Sequence, residues 1–116
     1  MNYGYNLIRD GSYIQDYDKL IQSLFLRLTT PLGSIPRRPT FGSRLKELLF
    51  DNIIDKNIME ERIRFYVLET FVEEVWLEIM GISTEIDVDA NEIKVIMQIM
   101  HKENGAVLET YFRLSN

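Results

Sequence analysis

The sequence predicts an α+β fold, with an N-terminal hairpin and three helices packed on a C-terminal antiparallel three-stranded meander. Three observations predict it. Apolar residues recur at helical spacing between Leu20 and Phe71. From Leu77 onward the apolar period changes to two, the period of a strand with one buried face. The helical segments are grouped ahead of the strands and do not alternate with them, which argues for helices covering one face of a single sheet. The 116 residues form one domain, 1–116, long enough for one core.

Tyr5 to Gln15 reads as the hairpin, because Leu7-Ile8 and Tyr13-Ile14 flank Asp10-Gly11, a dipeptide suited to positive-φ turn positions. Asp16 or Asp18 caps a first helix that runs to about Leu28. Leu20, Leu24 and Leu28, with Ile21 and Phe25, make its apolar stripe; Gln22, Ser23 and Arg27 take the wetter side. Pro31 ends this helix by disfavouring the α conformation at Thr30. Ser43 caps a short helix from Arg44 to about Phe50, and Asp51 to Asn57 is a polar connection. A long helix then runs from about Ile58 to Glu74, with Met59, Ile63, Tyr66, Val67 and Phe71 inward. In the first meander strand Ile82, Thr84, Ile86 and Val88 alternate with polar residues, and Asp89-Ala90-Asn91 turns the chain. The second strand, around Ile93 to Met100, is apolar on both faces in its middle, which predicts a central or covered position. Glu103-Asn104-Gly105 signals a two-residue hairpin turn. The last strand places Ala106, Leu108, Thr110, Phe112 and Leu114 on one inner face.

All three prolines lie in the stretch from Thr29 to Ser43, between two helices. Loops of this length in small domains are often functional. Pro36 and Pro39 bracket Arg37-Arg38 and are expected to hold that pair extended, with Phe41 anchoring the loop in the core. The net charge is −5, yet Arg27, Arg37, Arg38, Arg44 and Lys46 follow one another with no acid between them. Two readings stand: the basic loop docks an unlike protein surface, or its arginines pair with the chain's own carboxylates. A single basic loop on an acidic body is no nucleic-acid face. No apolar run is long enough to cross a membrane as a helix, and the N-terminus lacks the pattern of a secretory signal. The absence of cysteine fits a reducing cytoplasm. Four tyrosines in the first seventeen residues either form an interface or cover the hairpin.

Residue chemistry points away from catalysis. The lone His101 lies near a hairpin end and is expected to be solvated, with no cysteine to complete a metal site or a nucleophilic triad. The carboxylate pairs Glu60/Glu61 and Glu73/Glu74 are adjacent on a predicted helix, where neighbours diverge by about 100°, so neither can flank a glycosidic bond. Both are expected on a solvated face. No phosphate-binding or dinucleotide fingerprint occurs. The expectation is a chain that is not an enzyme and that has no catalytic residue, metal or cofactor.

Leu28-Thr29-Thr30, Gly33-Ser34, Pro39, Phe41-Gly42-Ser43, Leu45 and Leu49-Phe50 follow a Leu-x-Thr-x-x-Gly-x-x-x-x-x-Pro-x-Phe-Gly pattern. In this the chain resembles the gene-twenty-five-like baseplate wedge family of contractile phage tails, which includes a related type VI secretion baseplate subunit. The resemblance continues more loosely into the C-terminal strands. It implies a structural virion protein of the tail baseplate, a wedge subunit that initiates sheath assembly, made in the host cytoplasm. The implied partners are other wedge proteins, the tail sheath protein and tube or hub proteins, with no nucleic acid and no membrane. In the loop, Arg37, Arg38, Phe41 and Arg44 are the implied contacts. The family's Glu-Pro-Arg joint at the end of the long helix is altered here to Phe71-Val72-Glu73-Glu74-Val75-Trp76. A replacement joint would use Val72, Glu73, Glu74 and Trp76, with Val75 as a further apolar member, though Val72, Val75 and Trp76 could equally be core. Sheath initiation implies a free sheet edge, placed on the terminal strand at Val107, Glu109, Tyr111 and Arg113. The alternatives are a peptidoglycan-degrading lysozyme-like enzyme and an adaptor domain outside a virion.

Overall fold

Leucine spacing and a carboxylate cap build the first helix of the computed structural model, which describes residues 2–11, 16–48, 55–87 and 89–115. Asp16 accepts a hydrogen bond from Lys19 N at 3.0 Å and starts α1, Tyr17–Thr29. Such a cap contributes about 1 kcal/mol. Ile21, Leu24 and Leu28 are buried, as their spacing predicts. Arg27 is buried too and is only 5% exposed, so its expected place on the wet side is wrong. The short helix α2 is described over Leu45–Leu48; its expected continuation through Leu49-Phe50 lies outside the described residues.

Asp55 caps α3, Lys56–Thr70, by accepting from Asn57 N at 2.9 Å. Met59, Ile63 and Val67 are its buried stripe. The helix stops four residues short of the expected Glu74. Thr70 Oγ1 turns back to donate to Tyr66 O at 2.6 Å, and Glu74 N donates to Phe71 O in a turn. Leaving the helix here lets Glu73 and Glu74 converge, which consecutive helical residues cannot do.

Among the described residues the sheet has four antiparallel strands in the order β1-β4-β3-β2: β1 Tyr3–Arg9, β2 Leu77–Asp87, β3 Glu92–His101 and β4 Val107–Ser115. The meander β2-β3-β4 is the expected one, with β3 central. The first arm of the expected hairpin pairs with β4, Tyr3 opposite Phe112 and Leu7 opposite Leu108. Its Tyr13-Ile14 arm and the strand position Val88 lie outside the described residues. Asn2 O accepts from Arg113 N at 2.7 Å and extends the β1–β4 ladder. The β3–β4 connection is a four-residue loop and not the expected two-residue turn. His101 N donates to Ala106 O, Gly105 takes φ 78°, and the buried Asn104 side chain accepts from Ala106 N at 2.8 Å.

One face of the sheet packs on the helices. Ile93, Val95, Met97 and Ile99 of β3 and Leu108, Phe112 and Leu114 of β4 join the α1–α3 stripes in a single core. Tyr3 and Phe25 extend it toward β1, their ring centroids 5.0 Å apart. Among the described residues no helix covers the opposite face; there Lys94 sits above Tyr111, whose ring covers the backbone at Gly4.

Asp10 ties the end of β1 to α1, accepting from Gly11 N at 2.8 Å and from the Tyr17 hydroxyl at 3.1 Å. Partial desolvation, reinforced by the Asp10 carboxylate, raises the Tyr17 phenol above its ordinary value. A raised folded value means that this contact contributes fully below about pH 10 and is lost as pH climbs through the folded value. In an ultraviolet pH titration, Asp10→Asn is expected to bring the Tyr17 transition back toward the ordinary phenol value. An unchanged transition would separate the shift from Asp10.

Candidate functional site

The loop after α1 is a chain of hydrogen-bonded turns closed at its neck. Ser43 Oγ donates to Leu28 O and accepts from Leu45 N, joining the end of α1 to the start of α2. Ser43 N donates to Thr30 O at 2.8 Å and Leu32 N to Ser43 O at 3.0 Å, so Pro31 and Ser43 form a parallel bridge. Inside the neck, Ser34 N donates to Pro31 O, Arg38 N to Ile35 O and Phe41 N to Arg38 O. Pro36 and Pro39 therefore occupy the second position of successive turns, where their fixed φ is favoured. The Arg37-Arg38 pair is turned, not extended as expected.

Phe41 is half-buried and does not reach the core as expected. It lies between two guanidinium groups, Arg38 at 4.4 Å and Arg27 at 5.2 Å from the ring centroid. Such contacts contribute about 0.5–2 kcal/mol, more where water is excluded. Arg27 also binds both consecutive carboxylates, Glu74 at 2.7 Å and Glu73 at 2.9 Å. The remaining oxygen of Glu74 accepts from Trp76 Nε1 at 2.7 Å, and the Trp76 ring lies 5.0 Å from His101. A continuous series of contacts runs from Arg38 through Phe41, Arg27, Glu74 and Trp76 to the sheet. Glu73 is exposed as expected although it pairs with Arg27, whereas Glu74 is largely shielded, and His101 is 4% exposed, not solvated. The local sign that sequence reasoning passed over is the position of Arg27, three residues after Leu24 and beside Leu28 on the apolar stripe.

The two sets of residues expected in loop and joint meet on one surface. Arg44 pairs with Glu69 at 3.5 Å, and a cleft of about 220 Å³ opens between the loop and the end of α3, lined by Leu32, Pro39, Arg44, Glu69, Val72 and Glu73. Within the joint, Glu73 and Glu74 are held by Arg27 and Trp76 packs against the core, whereas Val72 and Val75 are 73% and 79% exposed. Phe65 and Leu68 on α3 are also exposed. Arg37 projects from the loop with no ion pair among the described residues. Of the two readings of the basic segment, internal pairing holds for Arg27 and Arg44, while Arg37 forms no ion pair among the described residues.

The third expected set is not an edge. Glu109, Tyr111 and Arg113 face β1 across the ladder, opposite Asn6, Gly4 and Asn2, and Val107 pairs with Arg9. The N-terminal strand fills the place that the meander alone leaves open. Among the described residues the outer strands of the sheet are β1 and β2. Among the described residues no cluster of His, Asp or Glu side chains converges as a metal site would require.

No family model matches this chain, and no curated protein sequence matches it. Among solved structures it is similar to a Geobacter sulfurreducens protein that carries the provisional name tail lysozyme, with a TM-score of 0.73 at 15% sequence identity, over 89% of this chain and 94% of that one. At that identity the likeness establishes a shared fold. It also corrects the expectation that the chain is not an enzyme, because a protein of this same fold bears a lysozyme's name.

Proposed function

We propose that this chain is a structural subunit of a contractile-tail baseplate that joins neighbouring wedge proteins and starts the sheath. The observation that carries this reading is the single rigid surface formed where the Thr30–Ser43 loop meets the end of α3. Its neck is built from the motif residues Leu28, Thr30, Gly42 and Ser43, and the Arg27 clamp fixes it to the body. Exposed Val72 and Val75 beyond the end of α3 give apolar contact area, and exposed Arg37 in the loop gives a cation with no ion pair among the described residues. Large exposed apolar side chains of this kind mark protein-interaction sites. The sheet contributes free backbone edges to which a sheath strand can add. The name of the structural neighbour, a tail protein, is consistent with a place in a tail.

The test is wedge assembly from the particle's own tail proteins. The double substitution Val72→Asp with Val75→Asp is expected to weaken incorporation of this chain roughly tenfold, equivalent to about 1.4 kcal/mol of lost apolar contact. Thermal stability should be unchanged, because both side chains are exposed. Incorporation at the wild-type level would overturn the proposed joint.

The neighbour's name favours a second reading, hydrolysis of peptidoglycan. Clearing of a peptidoglycan suspension by the purified chain above a heat-treated control would support it. An adaptor outside any virion would instead show as absence of the chain from purified particles.

A further inference from the structure

α3 is apolar on two opposite sides. Met59, Ile63 and Val67 face the core. Ile58, Phe65 and Leu68 are exposed on the other side, and exposed Val72 and Val75 continue the strip past the last helical turn. A helix with one buried stripe carries polar residues opposite it. The other exposed large apolar side chains among the described residues are scattered over β1, α1, β2 and β4.

The outer strip has the spacing of a coiled-coil seam. Ile58, Phe65 and Val72 are seven residues apart, and Leu68 and Val75 each follow three residues after a member of that series. Another helix covers such a seam, and the charges beside it select which helix and in which direction. Arg62 and Glu69 stand on one flank of the seam, seven residues apart and both exposed. When two copies of α3 lie antiparallel, with Phe65 of each against Leu68 of the other, Arg62 of each comes beside Glu69 of the other. The pairing is made twice, as a two-fold axis requires, and Ile58 meets Val75 at both ends. A parallel pair would instead set Glu61 against its own copy inside the seam, where like charges repel. Within its own chain Glu69 meets Arg44 at 3.5 Å, an exposed contact that is given up at little cost.

We infer that the outer face of α3 is covered by a second copy of this chain, in an antiparallel pair whose two-fold axis passes between Phe65 and Leu68. This does not rest on the baseplate reading. The pair keeps the apolar strip of the free chain out of water. It also occupies Val75, so a wedge protein that binds at the end of α3 displaces the second copy.

Sedimentation velocity of the full chain over a wide range of concentration tests the pairing, with two charge reversals, Arg62→Glu and Glu69→Arg. The wild-type chain is expected to pass from monomer to dimer as concentration rises. Each reversal alone should weaken the dimer roughly tenfold or more, because like charges then meet on both flanks. An equal mixture of the two variants should dimerise about as the wild type does, because opposite charges face each other again. Phe65→Ser should also weaken the dimer, with circular dichroism unchanged because the side chain is exposed. A wild-type chain that is monomeric throughout would overturn the inference. So would a dimer that neither Phe65→Ser nor the reversals weaken, which would place the contact on another face. A mixture of reversals that stays monomeric would overturn the antiparallel pair.

Discussion

Gly42→Ala is expected to destabilise the chain by about 3 kcal/mol, combining backbone strain with a steric clash. Gly42 holds φ 114°, a conformation that residues with a β-carbon rarely adopt. A Cβ built there would lie 2.5 Å from Thr30 O and 2.9 Å from the Pro31 carbonyl. These are backbone atoms and cannot swing aside as a side chain can. Thr30 O is also the acceptor for Ser43 N, so relieving the clash opens the neck of the loop. Gly33→Ala is the control. Gly33 has φ 79° with open space where a Cβ would stand, so it incurs backbone strain alone, about 1 kcal/mol. Urea unfolding of both variants measures the difference. Equal stabilities would show that the neck yields and that the loop is not a fixed platform.

The second large effect is at Arg27, where Arg27→Ala should cost about 3 kcal/mol, in the range found on removing one partner of a buried ion pair. The guanidinium holds Glu73 and Glu74 and faces the Phe41 ring, so its loss uncouples loop, helix end and Trp76 at once. Its Nε is buried with no hydrogen-bond partner among the described residues. The site therefore does not use the full bonding capacity of the group, and an apolar substitute recovers part of the packing. Arg27→Met should accordingly cost less than Arg27→Ala, because it keeps contact with Phe41 while the half-exposed Glu73 turns to water. The buried guanidinium and the largely shielded Glu74 are screened less than an exposed pair, so most of the loss should persist at high ionic strength. Thermal unfolding at low and high salt checks both points; a loss abolished by salt would mean an exposed, weak pair.

Both sites carry information that the sequence holds only in part. The α1 and α3 stripes, the Asp16 cap, the meander and the central place of β3 are local patterns, because each depends on residues a few positions apart. The β1–β4 ladder is different in kind. Tyr3 and Phe112 meet across almost the whole chain, and nothing in the alternation of Tyr5-Asn6-Leu7 names the partner strand. The Asp10-Gly11 signal pointed to a local hairpin and said nothing of the pairing with β4. That pairing covers β4, so among the described residues the outer strands are β1 and β2. The end of α3 was hidden for a similar reason. Phe71 to Glu74 continue the helical spacing, but binding of both carboxylates to Arg27, far away in the chain, is available only once the helix has ended. His101 was misplaced because proximity to a turn suggests solvent, whereas Trp76 and Asn104 enclose it. The loop was the reverse case. Its prolines and glycines announced fixed turns, and only the details of the turns and the resting place of Phe41 needed the fold.

The central claim is that this chain sits where the sheath begins. A cryo-electron reconstruction of the assembled particle, with this chain located in density, tests it most directly. The expected density places the chain at the baseplate end of the tail, against the first sheath ring, with the Thr30–Ser43 loop and the end of α3 on a neighbouring wedge protein. A particle with a complete sheath and no density for this chain, or with the chain remote from the first ring, would contradict it.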